Sequence, residues 1–202
     1  MMKQLILISS LLLCSIIGFS QPSNDNCENA LPATINVDLN CTSLVSGTLL
    51  GATASPQSVA SCSGSEDDDV WFSFVATNST HYIELSNIVG NATSLVHSVW
   101  TGTCPSLTLY SNSCSYSSSS AVHGLTIGTT YFIRVYSSIT GGAPNTTFDV
   151  CIKTPPAVSN DECSNPVSVA INPDMNCNLL TSGTIQYATP SSQNNTCGGI
   201  PD

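Results

Sequence analysis

The sequence predicts an all-β protein, an antiparallel β-sandwich or jelly roll followed by an incomplete second copy of the same unit. Three observations predict it. Short runs alternate apolar and polar residues with period two, and no segment sustains the 3.6-residue period of a helix. Turn-forming residues separate these runs at regular spacing, as in sandwiches and jelly rolls. Finally, residues 24–57 and 160–193 are identical at 17 of 34 aligned positions.

The alternation assigns a face to each residue. In "DVWFSFVA" (69–76), Val70, Phe72 and Phe74 share one side and Trp71, Ser73 and Val75 the other. "HYIELS" (81–86) turns Ile83 and Leu85 inward and Tyr82 and Glu84 outward. "SLVHSVWTG" (94–102) and "LTLYS" (107–111) follow as strands. "TYFIRVYS" (130–137) groups Tyr131, Ile133 and Val135 opposite Phe132, Arg134 and Tyr136. "TFDVCIK" (147–153) sets Phe148, Val150 and Ile152 against Asp149, Cys151 and Lys153. Between them, "SYSSSSA" (115–121) reads as a polar loop and "TGGAP" (140–144) as a tight turn.

The repeat sets the domain boundaries. "NDNCENALPATINVDLNC" (24–41) returns as "NDECSNPVSVAINPDMNC" (160–177), and "LVSGTLLGATASPQ" (44–57) as "LTSGTIQYATPSSQ" (180–193). Cys27, Cys41 and Gly47 recur 136 positions later as Cys163, Cys177 and Gly183, while Cys62 recurs as Cys197 at an offset of 135. That period suits a whole domain rather than a solenoid repeat. The expected organisation is therefore a module over residues 22–153, a linker over 154–159 with Pro155 and Pro156, and an incomplete second module over 160–202. A module of this length buries roughly two-thirds of its surface and is expected to fold alone.

Residues 1–20 read as a secretory signal peptide: Lys3, the apolar run "LILISSLLLCSIIGF", and a small-residue cleavage site before Gln21. The apolar run is short for a membrane span. The remaining cations are Arg134 and Lys153, against thirteen Asp and Glu. Nucleic acid and anionic membrane surfaces both require a basic footprint, so neither is an expected partner. Charged residues make up 8% of the chain, against about 25% in an average domain, and Ser, Thr and Asn fill the polar positions.

Nine cysteines follow the signal, none in a C-x-x-C pair, so zinc and thioredoxin-type chemistry have no support. In an oxidising compartment disulfides are the default. Six cysteines allow fifteen connectivities, and spacing narrows them. Cys104 and Cys114 flank a short strand and turn and are expected to pair locally. Cys41 and Cys62 recur together as Cys177 and Cys197, which suggests bonds within each pair. Cys27 and Cys151 would then tie the first segment to the last, leaving Cys163 without a partner.

Four stretches carry a family resemblance: "NDxC" at the start, "DVWFSF" (69–74), "VWTGTCPSLTLYSNSC" (99–114) and "GLTIGTTYFIRVY" (124–136). Together they resemble the PPC-like (bacterial pre-peptidase C-terminal) β-sandwich modules found in tandem in secreted, type IX-exported Bacteroidetes proteins. The likeness covers residues 24–153 and resumes at 160. It implies a non-catalytic accessory module, in some cases calcium-bound, beside enzymes or adhesins. The chain departs from that pattern in having "SEDDD" before "VW".

The acidic run Glu66, Asp67, Asp68 and Asp69 is the strongest site signal, and Asp25, at the module's first turn, joins it if the N-terminal segment folds over that loop. Clustered carboxylates on a loop suit a hard cation such as calcium, although no EF-hand pattern is present. The competing reading is a solvated loop with Asp69 hydrogen-bonded to backbone amides. His81, His97 and His123 lack ligand spacing. No G-x-S-x-G elbow, Ser-His-Asp arrangement or placed carboxylate pair supports catalysis. Trp71, Trp100, Tyr82, Tyr110 and Tyr136 suit either a sugar-stacking platform or packing beneath loops, and packing is the commoner use. The expected function is that of a non-catalytic extracellular module, a spacer or binding unit of a larger secreted or cell-surface protein, with an adhesive role among the options. Its partner is an extracellular protein or a glycan. The alternative is an accessory domain of a secreted hydrolase.

Overall fold

A computed structural model describes residues 20–57, 62, 64–141 and 144–189. The signal-peptide reading falls almost wholly outside the described residues, as does part of "TGGAP". The strands are β1 (Leu31–Pro32), β2 (Ile35–Asn36), β3 (Val45–Thr48), β4 (Val70–Val75), β5 (Thr80–Val89), β6 (Leu95–Thr101), β7 (Thr108–Leu109), β8 (Ser119–His123), β9 (Thr130–Ser137) and β10 (Thr147–Lys153). Among the described residues the only helical element is a 3-10 turn at Cys27–Asn29. The chain is thus all-β.

Two sheets face each other. One runs β1-β4-β9-β6-β7; the other runs β2-β10-β5-β8, with β3 also paired to β10. Most neighbours are antiparallel, but β1 runs parallel to β4 and β2 parallel to β10, so both sheets are mixed rather than purely antiparallel. The inward faces are those the alternation assigns. Val70, Phe72 and Phe74 of β4 meet Ile83 and Leu85 of β5, Tyr131, Ile133 and Val135 of β9, and Phe148, Val150 and Ile152 of β10 in one core.

The first sheet also buries its other face, which a two-layer reading does not anticipate. Trp71, Trp100 and Leu107 cluster there with Cys27, and beside them Val96 and Tyr136 cluster with Cys62. Residues 53–57 run across this face. The Trp71 Nε1–H donates to Ser55 Oγ at 2.8 Å, and Gln57 Nε2 donates to the Pro105 carbonyl at 2.8 Å. The chain thereby builds a third layer without a third sheet.

Two expectations are corrected here. The serine-rich stretch does not stay a loop: its end forms β8, which pairs with Thr80–Glu84 of β5. An edge strand of small polar residues lacks an apolar stripe of its own, so its pairing is set by the neighbour. The disulfide pairing also differs, joining Cys27 to Cys104, Cys41 to Cys151 and Cys62 to Cys114. Cys104 and Cys114 cannot pair locally because β6 and β7 form a hairpin: Cys104 sits at its turn, while Cys114 lies back beside His97 and Ser115, several residues away at about 3.3 Å per residue. Parallel pairing of β2 with β10 delivers Cys41, not Cys27, to Cys151. The Cys41–Cys151 bond spans 110 residues and contributes about 4–5 kcal/mol in the chain-entropy model. Cys163 and Cys177 are exposed and carry no disulfide, and Cys197 lies outside the described residues.

Candidate functional site

A cleft of about 500 Å³ opens where β1, β3, β5 and β10 come together. The local cause is a bulge. The β5–β10 register shifts between Thr147 and Asp149, and Asn87 takes a left-handed conformation (φ 50°) that asparagine tolerates better than most residues. The bulge aims Asn87 Nδ2 at Asp149 Oδ2, 2.7 Å away, while Ser46 Oγ donates to Asp149 Oδ1 at 2.6 Å. These two hydrogen bonds, Asn87's first, hold the Asp149 carboxyl below the ordinary carboxylate range. Pro22, Leu31, Gly47 and Phe148 supply the apolar wall; Thr48 and Thr147 add hydroxyls. Gly47 is required by a close approach, since a Cβ there would stand 2.8 Å from ring carbons of both Phe72 and Phe148.

The acidic residues on which a calcium site is expected do not converge. Asp25 accepts from Thr53 N (2.6 Å) and Thr53 Oγ1 (2.7 Å), closing the N-terminal turn. Asp67 accepts from Gly141 N at 3.2 Å. Asp68, fully buried, accepts from Ser137 N at 2.9 Å and from the Ser137 hydroxyl. Burial pushes its pKa up to about 6, against the pull of those two bonds. Asp69 accepts from Ser55 N at 2.7 Å and from Arg134 Nε at 2.6 Å, while Glu66 lies 3.1 Å from Arg134 Nη1. Among the described residues no group of three or more His, Cys, Asp or Glu is gathered as a metal site. Successive side chains on an extended approach to β4 point to opposite sides, so neighbours in sequence become neighbours of different loops. Asp69 does accept a backbone amide, that of Ser55, but Asp68 and Asp69 are fully buried rather than part of a solvated loop.

Arg134 is the pivot of that region. It is fully buried, its guanidinium carbon 5.6, 5.9 and 5.5 Å from the Trp71, Trp100 and Tyr136 ring centroids, and Nη1 donates to the Gln57 carbonyl at 2.6 Å. The aromatics therefore pack beneath residues 53–57. Trp71, Trp100 and Tyr136 are buried and form no exposed stacking platform, while Tyr82 and Tyr110 are partly exposed. The signal for this cluster was present: Arg134 is the chain's sole arginine and stands mid-strand between aromatic residues.

The histidines stay on separate strands. Buried His81 accepts the Thr77 and Asn78 amides at Nε2 (3.1 and 3.2 Å), leaving Nδ1 to face the Lys153 carbonyl at 3.3 Å. Burial lowers its pKa, although the Lys153 carbonyl opposes the shift. His97 faces Ser120 Oγ through Nε2 at 2.7 Å, and burial pushes its pKa down to about 4. His123 Nδ1 lies 3.1 Å from Thr80 Oγ1.

Two facing sheets with an open polar cleft at one edge define the chain as a β-sandwich module. The family described as galactose-binding-domain-like and associated with type IX secretion matches residues 23–150, and the chain belongs to it. A comparison with curated proteins gives no match. Modules of this fold are typically non-catalytic binding units. The family and the three disulfides point to an extracellular protein, and among the described residues no helix is long and apolar enough to cross a membrane.

Proposed function

We propose that the chain is a non-catalytic carbohydrate-recognition module of a larger secreted or cell-surface protein, reading glycans in the cleft around Asp149. The observation that supports this is the arrangement of Asp149, Ser46 and Asn87 beside the apolar wall formed by Leu31 and Pro22. A sugar ring presents hydroxyls that donate and accept and a C–H face that is apolar. An ionised carboxylate has about four acceptor directions, and Ser46 and Asn87 use two, so acceptor capacity remains for a ligand hydroxyl. Because neighbouring donors hold Asp149 ionised, the site keeps that capacity at neutral and mildly acidic pH. Such a module anchors its parent protein to a polysaccharide, which is an adhesive role. The resemblance to PPC-like modules, a likeness of residues, implies an accessory module and accords with the same reading.

The test is a glycan array probed with the full chain, followed by calorimetric titration of the strongest ligand. Asp149→Ala is expected to weaken binding at least tenfold with the melting temperature nearly unchanged. Absence of glycan binding, or binding that survives Asp149→Ala, would overturn the proposal.

A further inference from the structure

Residues 158–189 form no strand, yet most of their internal hydrogen bonds repeat those of residues 22–53 at an offset of 136; Ala30 N to Cys27 O is an exception, because its counterpart Pro166 has no N–H. Thr189 N donates to Asp161 at 2.7 Å, and the Thr189 hydroxyl joins it, as Thr53 does with Asp25. The Asn172 side chain brackets Leu179, with bonds of 2.7 and 2.9 Å, as Asn36 brackets Ser43 at 2.8 and 3.0 Å. Asp174 holds Asn176 as Asp38 holds Asn40. Gln186 N meets Thr184 Oγ1 as Leu50 N meets Thr48 Oγ1. Even the left-handed backbone is shared: Gly51 has φ 78° and Tyr187 φ 66°, although a tyrosine there costs roughly 1 kcal/mol or more that glycine does not.

The two segments differ in what they touch. Leu31 packs on the core beside β4, Ile35 pairs with Ile152 of β10, and Leu49 is fully buried. Their counterparts are bare: Val167 is 47% exposed, Ile171 91% and Ile185 86%. A stretch whose turns are already set while its apolar side faces water is a docking element without its partner in this structure.

We propose that residues 160–189 are the opening segment of a second unit of the same fold. Val167, Ile171 and Ile185 are its docking residues, and the occupant of their apolar side is a strand pair of the β4 and β10 type. The first segment identifies that occupant, because the same residue pattern with the same hydrogen bonds is seen seated on those two strands. Cys163 and Cys177 match Cys27 and Cys41, so this partner also supplies cysteines equivalent to Cys104 and Cys151.

If the two segments are equivalent, one can stand in for the other. The test places the sequence of residues 160–189 at positions 24–53 of the full chain, with Cys163→Ser and Cys177→Ser in the original C-terminal segment. Oxidative refolding and peptide mapping are expected to find the grafted cysteines bonded to Cys104 and Cys151 and a single cooperative melt. A scrambled graft that keeps only the cysteine positions is expected to leave both thiols free. Free Cys104 and Cys151 in the true graft, or equal bond formation by the scrambled one, would overturn the proposal. Neither result bears on glycan binding at Asp149.

Discussion

Residues 22–53 and 158–189 share most of their short-range hydrogen bonds but differ in burial. Leu49 is fully buried and Ile185 is 86% exposed, yet Thr48 and Thr184 cap the residue two positions on at nearly the same distance, 3.1 and 3.0 Å. The difference separates two layers of information. Asp, Asn and Thr side chains that bond backbone two to seven residues away need only their own segment, so their geometry forms wherever that sequence occurs. Burial and strand pairing need residues 70–153, on which the first segment seats its apolar side, whereas the second meets them edge-on through Tyr187 and Tyr82, ring centroids 6.4 Å apart. Leu49 N reaches Thr146 O at 2.9 Å and Ala33 N reaches Ser73 O at 2.8 Å, and the second segment makes no such bond among the described residues.

Substitutions that attack the long-range layer should therefore be costly in the first segment and nearly silent in the second. The largest effect is expected from Asp69→Ala, which removes the fully buried carboxylate partner of Arg134, leaves it Glu66 and the Gln57 carbonyl, and releases the Ser55 amide that holds residues 53–57 down. Removing one member of a buried ion pair costs about 3–5 kcal/mol, read as a lowered urea midpoint. A cost under about 1 kcal/mol would show that Arg134 does not bolt that layer. Next is the matched pair Leu49→Ala and Ile185→Ala. The first should cost about 2–5 kcal/mol and the second less than about 0.5 kcal/mol. Comparable losses would mean that the second segment is packed. Smaller again is Gly47→Ala, where overpacking against Phe72 and Phe148 costs about 1–3 kcal/mol. Gly183→Ala meets nothing within 4 Å and should leave the melting curve unmoved.

The smallest effect is a pH slope, and its sign follows from two opposed groups. His97 takes a proton near 6.5 when unfolded but only near 4 when folded, so stability is lost as pH falls through that window. Asp68 behaves oppositely: the folded state binds its proton near 6 and the unfolded state near 3.8, so stability rises as pH falls. The two slopes have opposite sign and largely offset. His81, also held neutral by burial, tips the balance toward acid loss. Asp68→Asn removes the opposing group and should enlarge the drop in melting temperature between pH 7 and pH 4.5. An unchanged drop would contradict the assignment.

The sequence was legible where period two and burial coincide. The inward residues of β4, β5, β9 and β10 could be named because each strand is long enough to show its alternation. β1 and β2 are two residues each, too short for a period, and β8 is a serine run whose partner decides it. Disulfide pairing was illegible because sequence distance says nothing about which strands lie side by side. The acidic cluster misled for a related reason: adjacency in the chain is not adjacency of carboxylates, and Asp68 and Asp69 turn to Ser137 and Arg134 on different sides of the strand. The cleft's Asp149 stood visible only as an outward-facing acid in β10; Asn87 and Ser46 reach it through a bulge and a cross-strand register that no local pattern reports.

Native-state hydrogen exchange on the intact, oxidised chain tests the central claim most directly, because it reads equivalent amides in the two segments at once. The amides of Ala33 and Leu49 should exchange only with global unfolding, while those of Val169 and Ile185 exchange within about tenfold of an unstructured peptide. Matching protection at Leu49 and Ile185 would contradict the account, since it would mean the second segment is already seated on strands of its own.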